Sequence, residues 1–410
     1  MKKQKSAVKS AWAALFFIAF LAACGQKNDD AAVLMQPSAS SPSAAAQALP
    51  ADAQVVRLAA VGPLTGGIAH IGKDVANGVQ LAVDEANAQQ PQLGGKPVLF
   101  QLLQEDDAGD PKQAAAVAQR LCDKGVVAVV GHVQSGASIP ASAVYDKCGI
   151  VQITPATSNP EYTQHGFKHI FRLIANDNQL AAGLAQTAMD KFAIKRVAIV
   201  DDRTAFGQGI AKVFKQEAVK NGAAVVAQEY TNDKASDFMG ILTSIKGKQG
   251  DAILVGGLDA QAGPMLRQME QLGLGKVRLI GGDAICTEKL PELAGGVPAV
   301  ENVVCALGGA GVEQLAGGQA WLERYNAKYP GEFQMYSPYA YAAGQLIIDS
   351  IKAADSADSK LFLPKIAAAQ FDSVIGRIQF TPTGEMAAPQ ISLYTYRAGK
   401  RVALDTVTSN

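Results

Sequence analysis

Histidine and tryptophan are scarce in this chain, four and two in 410 residues, and no run of apolar residues is long enough to span a bilayer as a mature helix. His165 and His169 stand at helical spacing, but Gly166 lies between them and no carboxylate or cysteine completes a ligand set, so they read as a surface pair and no metal is expected. Nucleophile-elbow, zincin and glycine-rich dinucleotide motifs are all missing, so no enzyme constellation, catalytic residue or cofactor is expected. His132 and Ser135 are close in sequence, but His132 ends a strand whose alternation turns it away. Charge of one sign is missing too. Lys and Arg number 37, Asp and Glu 37, which offers nothing to nucleic acid or an anionic surface.

The amino end carries what the rest lacks. MKKQKSAVK holds four lysines and no acid, and Ala11 to Ala23 follows without a charge. A basic segment before a short apolar one is the pattern of an export signal. Next comes Leu21-Ala22-Ala23-Cys24, which resembles the lipobox cut before a diacylated cysteine, making Cys24 the expected lipid anchor. Removing residues 1–23 takes four of the 37 basic residues and leaves 33 against 37 acidic, a formal charge of −4. Residues 24–52 are rich in Ala, Ser, Pro, Gln and Asp and read as a flexible tether, because they cannot bury a core. Four cysteines remain: Cys122, Cys148, Cys286 and Cys305. An even number in an exported chain suits disulfides, with nearest-neighbour pairing expected and buried free thiols the alternative.

From residue 53 onward, β-branched runs such as VVRLAAVG, GVVAVVGHV, RVAIVDD and DAILVGG alternate with amphipathic stretches such as DVANGVQLAVDEANAQ and FGQGIAKVFKQEAVKNG. Apolar strands alternating with helices predict an α/β fold with parallel sheets covered on both faces. Asp110 and Pro111 read as an N-cap and first helical residue. Ligands of such sheets bind where the strands' carboxyl ends meet helix N-termini. The run Gly67 to Asp74 nearly makes a P-loop, but it has Asp74 where magnesium needs a hydroxyl. Asp74 is instead expected in the first turn of its helix, complementing the dipole.

Small hydroxyl residues follow two successive strands, Ser135 and Ser138 after VVGHV, and Thr154, Thr157 and Ser158 after IVQI. Hydroxyls with free N–H groups suit a carboxylate, although turn and cap duty explains any one of them. Asp283, after VRLIGG, suits an ammonium group, and Phe206, heading the helix in TAFGQG, suits an apolar side chain; capping and core packing are the alternatives.

The stretches AAVGPLTGGIAHIGKDVANGVQLAVDE, EDDAGDPKQAAAVAQ and VVGHVQSGASIPASAVYDKCGIVQITPATSNPEYTQ resemble the leucine/isoleucine/valine-binding proteins, the receptors of branched-chain amino acid ABC importers. FGQGIAKVFK and MLRQMEQLGL carry the same likeness, which runs from about Val55 to Gly399. The resemblance implies two Rossmann-like lobes of the type I periplasmic binding protein, joined by a three-strand hinge and closing on a free amino acid. It assigns Ser135, the backbone carbonyl of Ala156 and the hydroxyl of Ser158, in place of a threonine, to the ligand's carboxylate and amino end, with Thr157 of the same turn among the ligand-binding residues. Asp283 falls where the family has a glutamate for the ammonium group, Phe206 replaces a pocket tyrosine, and Tyr336 matches a lining aromatic. Ile71 and Leu258 stand where aromatics are usual. The family's usual cysteine positions hold Gly109 and Gln134, so Cys122 with Cys148 reads as a relocated staple.

The expected division is signal peptide 1–23, tether 24–52, one lobe of 53–175 plus 307–378, and a second of 176–306 plus 379–405. The expected protein is a monomeric, membrane-anchored lipoprotein at the periplasm or cell surface. Its partners are a free amino acid and an ABC permease, not nucleic acid. A ligand sensor of the same fold, or a receptor for another small molecule such as an amide, is the alternative.

Overall fold

The computed structural model describes residues 53–408; the expected export signal of residues 1–23, Cys24 and the expected tether of residues 24–52 lie outside the described residues. Strands β1 (Gln54–Gly62), β2 (Gln92–Leu93), β3 (Lys96–Asp106), β4 (Ala128–Gly131), β5 (Val151–Thr154) and β6 (Ile170–Arg172) form one sheet in the order β2-β3-β1-β4-β5-β6. All are parallel except the short β2. β4 and β5 are buried at every position; β4 accordingly reads as an unbroken apolar run, while the polar Gln152 and Thr154 of β5 donate to the carbonyls of Gly131 and His132.

The second sheet is built from β7 (Arg196–Asp201), β8 (Ala224–Tyr230), β9 (Ala252–Gly256), β10 (Arg278–Gly281) and β11 (Val303–Leu307), parallel throughout. After a small hairpin, β12 (Phe371–Ser373) with β13 (Gly376–Ile378), the strands β14 (Gln390–Arg397) and β15 (Lys400–Thr408) add antiparallel at its edge. The order is β15-β14-β11-β10-β9-β7-β8. Three segments cross between the lobes: 173–176 after β6, 308–317 after β11, and 379–389 between β13 and β14. They are tied to one another, Ala175 N–H donating to the Gly308 carbonyl (2.7 Å) and Arg172 N–H to that of Gly384 (2.9 Å).

Both sheets have a switch point. β1 lies between β3 and β4, and β7 between β8 and β9, so the loops after these strands part to opposite sides and leave a crevice at the carboxyl edge. Asp110 caps the helix Pro111–Asp123, accepting from Gln113 N–H at 2.8 Å. The cysteines pair as nearest neighbours, Cys122 with Cys148 and Cys286 with Cys305, at Cα separations of 6.1 and 5.5 Å. A β-carbon added to Gly109 would strike the Gln134 side chain, so the two positions that carry cysteines in the resembling proteins are neighbours in space here.

Asp74 departs from the sequence reading. Its helix begins at Ala69, so Asp74 lies beyond the first turn, and its fully buried carboxylate serves a different helix. It accepts from the N–H groups of Gln334, Met335, Tyr336 and Ser337 (2.7–3.1 Å) at the start of the helix Ser337–Ala354, and from the Tyr325 hydroxyl at 3.2 Å. A carboxylate at that N-terminus complements a dipole, but one reached across the helix pair and not along its own chain.

Candidate functional site

A cavity of about 580 Å³ opens between the carboxyl edges of the two sheets, within the size range of small-molecule pockets. The turns after six of the parallel strands contribute: Ile68 and Ile71 after β1, Ser135 after β4, Ala156 after β5, Phe206 after β7, Leu258 after β9 and Asp283 after β10. Tyr336 completes the wall from the start of the helix that Asp74 caps. Of the residues singled out in the sequence, Ser135, Ala156, Phe206, Asp283 and Tyr336 thus share one cavity, and Thr157 and Ser158 do not line it.

Ser135 is the first residue of the helix Ser135–Cys148, whose amino end faces the cavity. Its buried hydroxyl accepts from Asn159 N–H at 3.3 Å. Thr157 is turned into the protein, its hydroxyl bonded to the Ser138 hydroxyl (2.5 Å) and near the His132 and Val133 carbonyls (3.3 Å). It stitches the β4 and β5 turns together. Arg172, unremarkable in sequence, holds the same turn: it donates to the carbonyls of Thr157 and Asn159 and bidentately to Glu385. His132 bonds Asp107 (2.6 Å) and Tyr145 (2.9 Å), away from Ser135.

Asp283 opens a single 3₁₀ turn two residues beyond β10. One carboxyl oxygen accepts from Ala284 N–H at 2.9 Å; the other is buried without a partner. Burial pushes this carboxyl up to about 7, against the opposing pull of the Tyr336 hydroxyl and of backbone N–H groups. Asp202 also lines the cavity. Its Oδ1 caps the next helix through Thr204 while Oδ2 is unpartnered, and burial lifts it to about 6. Asp177, fully buried with neither oxygen bonded, is raised to about 7 by burial, with Asp283 adding repulsion and Ser158 and Arg172 easing it. Sequence reasoning missed Asp202 and Asp177. The first had a signal, a pair of acids ending an apolar strand; the second was hidden behind an N-cap, Asn176.

These three carboxyls fix a pH dependence. Below the ordinary carboxylate range they are neutral whether or not the chain is folded. As pH rises, the unfolded chain gives up these protons first, so their stabilisation is lost on the way to about 7. Glu105 and Asp106 act oppositely: against some burial, Lys124 and Thr65 respectively help hold them low, and that stabilisation is lost only in stronger acid. The ligand-free domain is therefore expected to melt at a higher temperature at about pH 5.5 than at about pH 8. A scan in which pH 8 gives the higher Tm would contradict the buried, uncompensated state of these groups.

The lobes also touch across the cavity. His70 Nε2 lies 2.7 Å from Asp259 Oδ2, which further accepts from the Thr287 hydroxyl, and Asn159 Nδ2 donates to the Ala205 carbonyl at 2.8 Å. Among the described residues no group of three or more His, Cys, Asp or Glu is placed to hold a metal ion. The site is suited to enclose a small zwitterion: donors at a helix amino end on one side, buried carboxylates on the other, apolar walls between.

The comparisons with known proteins agree with this geometry. An amino acid binding protein from Pseudomonas aeruginosa is 31% identical over 344 residues, covering 83% of this chain and 90% of the relative. A Leu/Ile/Val-binding protein from Rhizobium johnstonii, BraC3, is 32% identical over 356 residues, covering 85% and 94%. Among solved structures, the branched-chain amino acid transporter substrate binding protein LivJ from Streptococcus pneumoniae, in complex with isoleucine, superposes with a TM-score of 0.79 at 26% identity over 87% of this chain and all of that one. The model of the periplasmic binding protein family matches residues 55–401. The chain belongs to the periplasmic binding protein family, a family of extracytoplasmic substrate-binding proteins and not of enzymes.

Proposed function

We propose that this protein captures a free amino acid, a branched-chain one or one of similar small size, and delivers it to an ABC permease. The observation that carries this reading is the pairing, in one cavity, of Ser135 at a helix amino end with the half-satisfied, buried carboxyl of Asp283. Neither lobe alone can desolvate both charges of a zwitterion; closure lets them do so together. Ser135 and the Ala156–Ser158 turn take the carboxylate and part of the amino end, Asp283 the ammonium, and Phe206 and Tyr336 the side chain. Ile71 and Leu258, both on the cavity wall, replace rings with aliphatic side chains and leave room there. The lobes divide as 53–175 plus 307–378 and 176–306 plus 379–405. Lipidation of Cys24 tethers a monomeric domain to a membrane within reach of its permease.

A thermal-shift screen over all amino acids tests this directly, because a ligand that binds only the folded state stabilises with the logarithm of its excess over Kd. A rise in Tm with one or a few small amino acids is expected, and no shift with any of them overturns the reading. Ser135→Ala is expected to weaken the best ligand by one charge-assisted hydrogen bond, about 1.5–3 kcal/mol, measured by calorimetry. Labelling of the exported protein with a radioactive fatty acid, lost in Cys24→Ser, tests the anchor; equal labelling of both forms rules it out.

A further inference from the structure

Away from the crossing segments the lobes are joined by direct hydrogen bonds. One runs from the Asn159 side chain to a backbone carbonyl, that of Ala205. Another runs from side chain to side chain: His70 Nε2 lies 2.7 Å from Asp259 Oδ2. A carboxylate only accepts, so Nε2–H is the donor. His70 is the second residue of the helix Ala69–Ala88 in one lobe, and Asp259 the first residue of the helix Asp259–Gln271 in the other. The two helix starts abut, for a β-carbon on Gly67 would lie 3.7 Å from that of Ala260.

The acceptor is built firmly into its own lobe. Asp259 is fully buried, its Oδ2 also accepts from the Thr287 hydroxyl at 2.6 Å, and its place in the first turn of a helix favours a negative charge. Thr287 is fixed in turn: the Tyr396 hydroxyl donates to its carbonyl at 2.8 Å, and the adjoining Cys286 is bonded to Cys305 on β11. The other oxygen, Oδ1, is buried without a partner, so all that Asp259 offers the opposite lobe passes through Oδ2. The donor is more open, the His70 side chain keeping 15% of its surface exposed. Neither residue lines the cavity, but their chain neighbours Ile71 and Leu258 do. The pair therefore stands just outside the wall that faces the ligand.

We propose that His70 and Asp259 are positioning residues that latch the two lobes together beside the cavity, and so set how long a captured ligand is retained. Its retention half rests on the amino-acid reading above; its closure half does not. The bond is made when the lobes meet and lost when they part, so its free energy falls entirely on the closed side of that equilibrium. In the parted state water hydrates both groups, and the latch contributes the net strength of a charge-assisted bond, not its gross strength. No ligand atom takes part, so every ligand gains by the same factor. Ser135 and Asp283 then govern which ligand is held, and the latch governs for how long.

The test measures ligand release from the mature protein by stopped-flow competition. The probes are L-leucine and L-valine, or the two tightest amino acids of the thermal-shift screen where others bind better. His70→Ala is expected to release both about tenfold faster or more, and by one common factor, the ratio that corresponds to a hydrogen bond to a charged group. Asp259→Asn keeps the shape of the side chain and an oxygen for Thr287, and is expected to speed release in the same direction. The double variant is expected to release little faster than His70→Ala alone, because the two side chains act as one unit. His70→Gln, which presents an amide N–H where Nε2–H stood, is expected to restore slower release. A role in stability alone would lower the ligand-free Tm of these variants without touching release. Release from His70→Ala within about two-fold of wild type, or factors for the two ligands that differ by more than about three-fold, overturns the latch. Should wild type bind no amino acid at all, the capture reading falls by itself, and small-angle scattering of the ligand-free protein decides the latch. A larger radius of gyration in His70→Ala than in wild type then supports it, and an equal radius overturns it.

Discussion

Asp283→Asn is expected to cost the domain about 30-fold to several-thousand-fold in affinity for its amino acid. Asparagine keeps the shape of the side chain and can still accept from Ala284 N–H, as Asp283 does at 2.9 Å in the ligand-free state. What goes is the charge on the free oxygen. A ligand ammonium buried against an amide has lost its counter-ion while its own desolvation cost stays, a loss of about 2–5 kcal/mol at buried, hydrogen-bonded charge pairs, and each 1.4 kcal/mol is tenfold in Kd. The same change should leave the ligand-free domain as stable or more so, since burial alone lifts this carboxyl to about 7 and an unpaired charge there works against folding. Calorimetry and thermal unfolding on one preparation read both. Opposite signs identify a lost ligand contact; a Kd within about two-fold of wild type removes Asp283 from the amino end.

The strands were legible because parallel sheets covered on both faces leave no ambiguity of period: β4 and β9 are apolar at every position and buried at every position. The turns that follow them were legible for the same reason, since a ligand must sit where those strands end. Ser135, Ala156, Phe206 and Asp283 meet there as that rule requires. Sequence order said less about which way a side chain turns within a turn. Thr157 and Ser158 are adjacent to Ala156, yet one is bonded to Ser138 and the other stands beside Asp177, because three consecutive residues of a turn point in three directions. Groups paired across the fold were out of reach altogether. His70 and Asp259 are 189 residues apart, and nothing in either local sequence announces the other. The cysteines succeeded where these failed, because each pair lies within one lobe at short sequence separation, 26 and 19 residues.

Asp74 is the sharpest case, and it makes the largest prediction for stability. Read locally, an acid near the start of a helix trims the helix dipole, and Asp74→Ala should cost about 0.3–1 kcal/mol. In the structure the same substitution strips the acceptor from four consecutive N–H groups, of Gln334 to Ser337, and from the Tyr325 hydroxyl, all in a region closed to water. Each buried donor left unsatisfied costs about 1–3 kcal/mol, partly offset because the carboxylate's own burial, which raises its pKa, no longer opposes folding. A net loss of roughly 3–5 kcal/mol is expected, read from urea unfolding as a lower midpoint at an unchanged m-value. A loss below about 1 kcal/mol would restore the local reading. Because Tyr336 N–H makes the shortest of these bonds, at 2.7 Å, and its ring lines the cavity, the variant should also bind its amino acid more weakly under conditions where it is still folded. A destabilised variant of unchanged affinity would mean that the amino end of the helix Ser337–Ala354 holds Tyr336 in place without the carboxylate beneath it.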